Sequence, residues 1–269
     1  MKQTQKSNEC LVSIIMPCYN AENFIVEAVN SVVEQTFSQW ELLVCDDEST
    51  DLSLQLVKEI SSKDKRVKVL QNKYEKGAPG ARNTALHAST GRYIAFLDAD
   101  DIWKPNKLFR HIHFMQTNKI PFSYSYCDII DETGRYKSTT YTPKSVSFRK
   151  LHLSNFIPCL TAIYDANVFG RVAQPTIKKR NDFALWLVLL GQKTNFSAVC
   201  FPEVTASYRS NNYGLSANKL DAIRFFYVCL LRYGQTNPIS ALGFVTFAVV
   251  LKVIKEMSPS LYNFFIRRI

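Results

Sequence analysis

Four short apolar runs, residues 12–16, 41–45, 67–70 and 93–97, each end in polar or acidic residues, and stretches of helical spacing or loop character separate them. That alternation constrains the fold more than any other feature and predicts β-α-β-α-β-α-β. Val-Ser-Ile-Ile-Met and Tyr-Ile-Ala-Phe-Leu are nearly continuous in apolar side chains, as strands covered on both faces require. Phe24, Ala28, Val32 and Val33 recur at helical spacing, as do Leu54, Val57 and Ile60 behind the capping candidates Ser49 and Asp51. Such units build a parallel sheet through right-handed crossovers, with ligands beyond the carboxyl ends of the strands. Those ends carry Pro17-Cys18-Tyr19-Asn20, Asp46-Asp47-Glu48-Ser49 and Asp98-Ala99-Asp100-Asp101, so polar chemistry accumulates along one rim.

Beyond Asp101 the pattern loosens into a helix over 107–115, short strands near 122–127 and 162–164, and a helix over 183–190. With 269 residues, 46% of them hydrophobic, the chain suits one α/β domain with a C-terminal appendage, or at most two small domains. Seven scattered cysteines sit mostly in apolar runs, which suits buried thiols in a reducing compartment. Residues 1–9 are polar and the first apolar run is too short for a signal core or a membrane span, so the reading is of a protein that is not exported. A net charge of +10 favours an anionic partner: a nucleoside diphosphate, an anionic lipid surface or nucleic acid. From 222 to 269 there are six basic residues against one acidic, mixed with aromatic and aliphatic ones. Within that tail, 241–251 is an apolar stretch that reads either as a core helix or as an interfacial helix meeting anionic lipid.

The segment from Tyr93 to Trp103 carries the most chemistry. An apolar strand ending in Asp-x-Asp sends two carboxylates, Asp98 and Asp100, the same way by period-two alternation, a hard-oxygen site for Mg²⁺ or Mn²⁺ with room for diphosphate oxygens. An acidic turn capping the next helix is the alternative reading. The stretch Gly77-Ala-Pro-Gly80-Ala-Arg82-Asn83 reads as a flexible turn entering a helix at Thr84, with amides and Arg82 suited to phosphate or base. Asp46 and Asp47 can accept bonds from a base or ribose, or one of them can cap a helix, and Tyr19 can stack on a base. Asp182, at the start of an apolar helix, reads as a cap or as a general base toward an acceptor hydroxyl.

Other chemistries fit poorly. His111 and His113, two apart on a helix, point to different sides and make a poor zinc pair. There is no Gly-x-Gly-x-x-Gly after the first strand, as a nicotinamide dehydrogenase would have, and no P-loop. Phosphatases built on Asp-x-Asp carry it after their first strand rather than after the fourth run.

Taken in order, Pro17-Cys-Tyr19-Asn20, Gln35-Thr36-Phe, Asp46-Asp47-Glu-Ser49, Ala81-Arg82-Asn83, Asp98-Ala-Asp100-Asp101 and Asn181-Asp182 with Trp186 resemble the family 2 glycosyltransferases. The resemblance is dense over 11–105, sparse to 190 and weak after 210. It implies the GT-A (Rossmann-like) fold, a mostly parallel central sheet flanked by helices with a helical C-terminal extension. The division it implies is a catalytic domain over 1–220, with a nucleotide half at 11–105 and an acceptor half at 106–220, followed by a basic tail over 221–269. Carried across position by position, Pro17, Tyr19, Asp47 and Arg82 hold the nucleotide-sugar together with Asp98, Asp98 and Asp100 hold a divalent Mn²⁺ or Mg²⁺, and Asp182 is the base of an inverting transfer. The expected partners are a UDP-sugar donor, a glycan or lipid-linked glycan acceptor of surface polysaccharide, and peripheral contact with an anionic membrane, without nucleic acid. That places the enzyme in the cytoplasm, at the inner face of the membrane. A sugar nucleotidyltransferase would need a Gly-rich basic loop after the first strand, and a non-catalytic nucleotide- or membrane-binding module would not need Asp98, Asp100 and Asp182 together. One departure stands out: Glu48 occupies a position where the family usually has glycine.

Overall fold

The structure is a computed structural model that describes residues 11–210, 219–258, 262, 263 and 266. Residues 1–10, Cys10 among them, residues 211–218 and the last part of the tail lie outside them.

Strands β1 (Val12–Cys18), β2 (Trp40–Asp46), β3 (Val67–Gln71) and β4 (Tyr93–Phe96) alternate with helices α1 (Ile25–Val33), α2 (Ser53–Lys63) and α3 (Ala78–Ala88). The four strands are parallel in the order β3-β2-β1-β4, the crossover arrangement expected from the apolar runs. β1, β2 and β4 are buried on both faces, which is why their sequences run apolar instead of alternating. Period-two geometry still sorts their side chains. Ile14 and Met16 join a core with Ile25, Val29 and Trp103, whereas Ile15 joins Ala81, Ala85, Phe96 and Trp186 across the sheet.

The second half departs from the parallel pattern. β5 (Ile102–Trp103), α4 (Lys107–Thr117), β6 (Phe122–Ile130), β7 (Tyr136–Thr140), β8 (Ser145–Ser147), α5 (Phe148–Leu151), β9 (Ile163–Asp165), α6 (Ala166–Phe169), α7 (Asn181–Gln192) and β10 (Ser197–Arg209) follow in turn. β9 pairs antiparallel with both β4 and β6 and so joins the two halves into one mixed sheet, β3-β2-β1-β4-β9-β6-β10-β5. Two further helices, α8 (Lys219–Tyr233) and α9 (Pro238–Met257), pack against each other, and α8 lies on α7.

Three local expectations need correction. Helix α3 begins at Ala78, so the supposed flexible turn at Gly77-Ala-Pro-Gly80 is mostly helix, with Pro at its start, where a missing N–H costs nothing. Gly80 serves close approach: a Cβ there would lie 2.0 Å from the Glu75 carbonyl oxygen. Neither Asp46 nor Asp47 caps α2; Asp51 accepts from the Ser53 N–H at 3.0 Å, while Ser49 Oγ accepts instead from the Asn20 N–H. β4 stops at Phe96, and the Asp101 N–H donates to the Asp98 carbonyl at 3.1 Å, so Asp98 and Asp100 belong to a turn and strand alternation does not align them. The six described cysteines carry no disulfide.

Candidate active site

The carboxyl rims of β1 and β2 are laced together. The Asp47 N–H donates to the Cys18 carbonyl at 2.8 Å, the Ala21 N–H to Ser53 Oγ at 2.7 Å, and the Thr50 N–H to Asn20 Oδ1 at 2.9 Å. Tyr19 emerges from this lacing with its ring half exposed and Lys76 Nζ 4.9 Å from the ring centroid. Asp47 is buried, and its carboxylate accepts from Asn72 Nδ2 at 2.6 Å and from the Gly77 N–H at 2.7 Å. It therefore lies against the positive end of α3, and a Gly77 amide offered in the sequence reading to phosphate is taken by this side chain. Asp46 accepts from the Ser49 N–H through Oδ2, and its Oδ1 is buried without a partner among the described residues.

Glu48 shows why glycine is usual at its position. Its φ is +65°, in the left-handed region that an L side chain adopts at a cost. Its exposed carboxylate pairs with Lys76 at 3.0 Å.

At the centre stands Arg82, on the buried side of α3. Its guanidinium bonds Asp98 Oδ1 through Nη2 and Asn181 Oδ1 through Nη1 at 2.9 Å. Burial works against that charge, but the Asp98 carboxylate, Cys159 and Asp182 together more than offset it, and the Arg82 pKa is raised. Asn181 also accepts from Gln174 Nε2 at 3.0 Å. One arginine thus ties the acidic turn after β4 to the start of α7, 99 residues further along.

Asp182 is in the first turn of α7 but is not its cap. Arg180 holds the cap position with a φ of +59° and no side-chain capping bond, while Asp182 Oδ2 accepts from Asn155 Nδ2 at 2.8 Å. The helix is anchored by Trp186, whose ring meets Phe96 of β4 edge-on at 5.7 Å and whose Nε1–H donates to the Ile157 carbonyl at 3.2 Å. Because β4 leads directly into Asp98, this packing fixes the helix start against the acidic turn.

The turn itself is crowded with negative charge. Burial, and then the neighbouring Asp98, push the Asp100 carboxyl up to about 6; burial, Asp100 and Asp98 push Asp101 up as well. After burial, Asp101, Asp100, Asp98 and Asp182 also raise the Tyr208 phenol to about 12, so all four acids act on one basin. Crowded hard-oxygen donors of this kind fit a divalent cation. Among the described residues, no group of three or more His, Cys, Asp or Glu converges as a metal cage, so such a cation would have to draw further ligands from elsewhere.

Sequence reasoning assigned no contact to the residue that holds this turn. Arg209, buried at the end of β10, donates its N–H to Asp101 Oδ1 at 2.8 Å and its Nε–H to the Asp100 carbonyl at 2.9 Å. Nη1 donates to the Glu132 carbonyl at 3.0 Å and the Asp131 carbonyl at 3.3 Å, Nη2 donates to Glu27 Oε2 at 2.6 Å, and the guanidinium lies over the Phe24 ring. Asn155 and Gln174 were missed, and no local pattern marks them. Asn72 could have been found, since it follows β3 on the rim where the ligand chemistry collects.

Comparison with known proteins points one way. The model of the family described as Glycosyl transferase family 2 matches residues 13–170, more than half of the chain. The chain is 38% identical over 252 residues to the UDP-Glc:alpha-D-GlcNAc-diphosphoundecaprenol beta-1,3-glucosyltransferase WfgD of Escherichia coli, covering 93% of this chain and 96% of that one. Among solved structures, S. aureus TarS 1-349 in complex with UDP-GlcNAc superposes with a TM-score of 0.67 at 21% identity, covering 88% of this chain and 71% of that one. The mannosyltransferase PcManGT from Pyrobaculum calidifontis, in complex with GDP-Man and Mn²⁺, gives 0.65 at 16% identity, covering 91% and 75%. These likenesses identify the sheet and its helices as the GT-A fold.

Proposed function

The chain belongs to glycosyl transferase family 2, and from that premise we propose that this glycosyltransferase moves a sugar from a UDP-sugar to a hydroxyl of a lipid-linked diphosphate sugar, with inversion at the anomeric carbon. UDP-glucose is the first donor to try, because the WfgD relative, which this chain matches over 96% of that relative's length, is named for it. The observation that carries the reading is the Arg82 bridge, which joins the acidic turn at Asp98 to the helix start that bears Asp182.

In this reading Tyr19, Pro17 and Asp47 line the nucleotide end. Asp98 and Asp100 would hold a divalent metal, and a metal bound there would neutralise charge on the departing diphosphate. Asp182, oriented by Asn155, takes the proton of the acceptor hydroxyl as its oxygen bonds the anomeric carbon and the bond to the diphosphate breaks. The displacement is in line and needs no covalent enzyme intermediate. A lipid-linked acceptor places the work at the inner face of the cytoplasmic membrane. No helix among the described residues is long and apolar enough to cross a membrane, and in this reading the contact is peripheral.

The test is UDP release from a panel of UDP-sugars with and without Mn²⁺, in the presence of a diphosphate-lipid-linked sugar. Metal-dependent transfer lost in both Asp182→Asn and Asp100→Asn supports the assignment. Full turnover in Asp182→Asn removes the base, and turnover indifferent to chelator removes the metal.

A further inference from the structure

Helix α9 carries seven exposed large apolar side chains among the described residues, and the glycosyl-transfer site uses none of them. One side of it is committed to the protein: Ala241 and Val245 are buried, and Phe244 stacks on His152 at 5.2 Å. The opposite side is apolar and open. Ile239, Leu242, Val250, Val253 and Met257 are 86%, 61%, 49%, 47% and 81% exposed, and their spacings of three, eight, three and four residues line them up as one stripe on an α-helix. Val249 and Phe247 widen it on either side. From Pro238 to Leu251 the sequence carries no charged residue at all. A water-facing helix surface ordinarily carries its charges there.

We propose that this face of α9 lies in the interfacial region of an anionic lipid bilayer, and that it brings the acceptor side of the active site to its lipid-borne substrate. The inference rests on the acceptor reading above and adds the surface that would serve it. Charge complementarity selects lipid as the occupant. Residues 222–269 hold six basic residues against one acidic, and Arg232 of α8 and Lys252 of α9 are exposed, a cationic excess that anionic headgroups would meet. The position agrees. α8 carries α9 and is pinned to the start of α7 by the Phe183–Phe226 ring stack at 4.9 Å and by Arg180 Nε donating to the Ala222 carbonyl at 2.7 Å. Asp182 lies in that same first turn, so a bilayer under α9 borders the acceptor side of the site.

The test is co-sedimentation of the full chain with vesicles of phosphatidylcholine alone or mixed with phosphatidylglycerol. Wild type is compared with the triple variant Leu242→Glu, Val250→Glu, Val253→Glu and with the milder Arg232→Gln, Lys252→Gln. Thermal melts check that each is folded, and light scattering checks its mass. Wild type is expected to pellet with the anionic vesicles and to be released by salt. The triple variant should bind at least about tenfold less, and the double variant should lose mainly the preference for anionic lipid. Transfer to a water-soluble short-chain acceptor should be unchanged in the triple variant while transfer to vesicle-embedded acceptor falls. Failure of wild type on the soluble acceptor would strike the proposed reaction instead of the surface. Equal vesicle binding by wild type and both variants, or a wild-type dimer that the triple variant converts to monomer, would overturn the bilayer as occupant.

Discussion

Arg209→Lys keeps a cation at the end of β10 and keeps the backbone bond to Asp101, but it removes the fork that reaches four oxygens at once. Three of those are backbone carbonyls, of Asp100, Asp131 and Glu132, and the fourth is Glu27 Oε2. An ammonium on a flexible stem can satisfy at most one or two of them in the same space. Two or three acceptors are then left short, at about 1 kcal/mol each, so the loss is about 2–3 kcal/mol. For a chain of this size that lowers the melting temperature by about 4–12 °C. The functional effect should concentrate on the turn. With the Asp100 carbonyl released, the turn that presents the Asp98 and Asp100 carboxylates loosens, and the half-saturating Mn²⁺ concentration should rise about tenfold or more, while KM for the UDP-sugar moves less. Differential scanning fluorimetry and a metal titration of UDP release read the two effects separately. An unchanged melting temperature together with an unchanged metal requirement would refute the claim that Arg209 organises the acidic turn.

Asn155→Ala should lower kcat about tenfold with KM for the donor unchanged, because it frees the Asp182 carboxylate from its orienting donor without touching the nucleotide end; steady-state kinetics at saturating acceptor checks this. Glu48→Gly should raise stability by about 0.5–1 kcal/mol in urea unfolding, since relief of the left-handed backbone outweighs an exposed ion pair with Lys76; a loss of stability would mean that the pair dominates. Lys107 is fully buried against Trp103, where burial brings its pKa down to about 7, below the ordinary lysine value near ~10.4. Between those two values the unfolded chain binds a proton that the native state lacks, so stability rises with pH by up to about 1.4 kcal/mol per unit, and below about 7 the contribution is flat. Urea midpoints of wild type should therefore gain on those of Lys107→Met between about pH 7 and about pH 9, and a constant difference between the two proteins would refute the shift.

The half of the fold that was legible in the sequence is the half in which each element declares itself locally. β1, β2 and β4 are apolar throughout because both faces are covered, and the helices between them carry their own spacing. Mistakes began where a residue answers to a contact that the apolar pattern does not carry. Gly80 looked like a loop residue, yet it is helical and small because the Glu75 carbonyl comes close. Asp98 and Asp100 looked aligned by strand alternation, yet the strand ends at Phe96 and a turn gathers them. Glu48 was noticed only as a departure, and its left-handed φ supplies the reason. Arg209 and Asp101 lie 108 residues apart, and no window of sequence contains that relation.

The Arg82 bridge shows why the two halves of such a chain need each other. A buried arginine paired with one carboxylate adds little to stability, because desolvation cancels most of the attraction. What the pair gains is position. Asp98 draws the guanidinium toward the acidic turn, Asn181 holds its other arm at the start of α7, and Trp186 locks that helix against β4, which leads into Asp98. The loop closes through side chains contributed by residues 82, 98, 181 and 186, with each contact restricting the same helix start. In the proposed reaction a base near a departing diphosphate is effective only at a fixed distance from it, and this circuit fixes Asp182 relative to the acidic turn without using Asp182 itself. The carboxylate of Asp182 is thereby relieved of structural duty toward Arg82, and its partner among the described side chains is the Asn155 amide, a neutral donor that orients the oxygen without neutralising it.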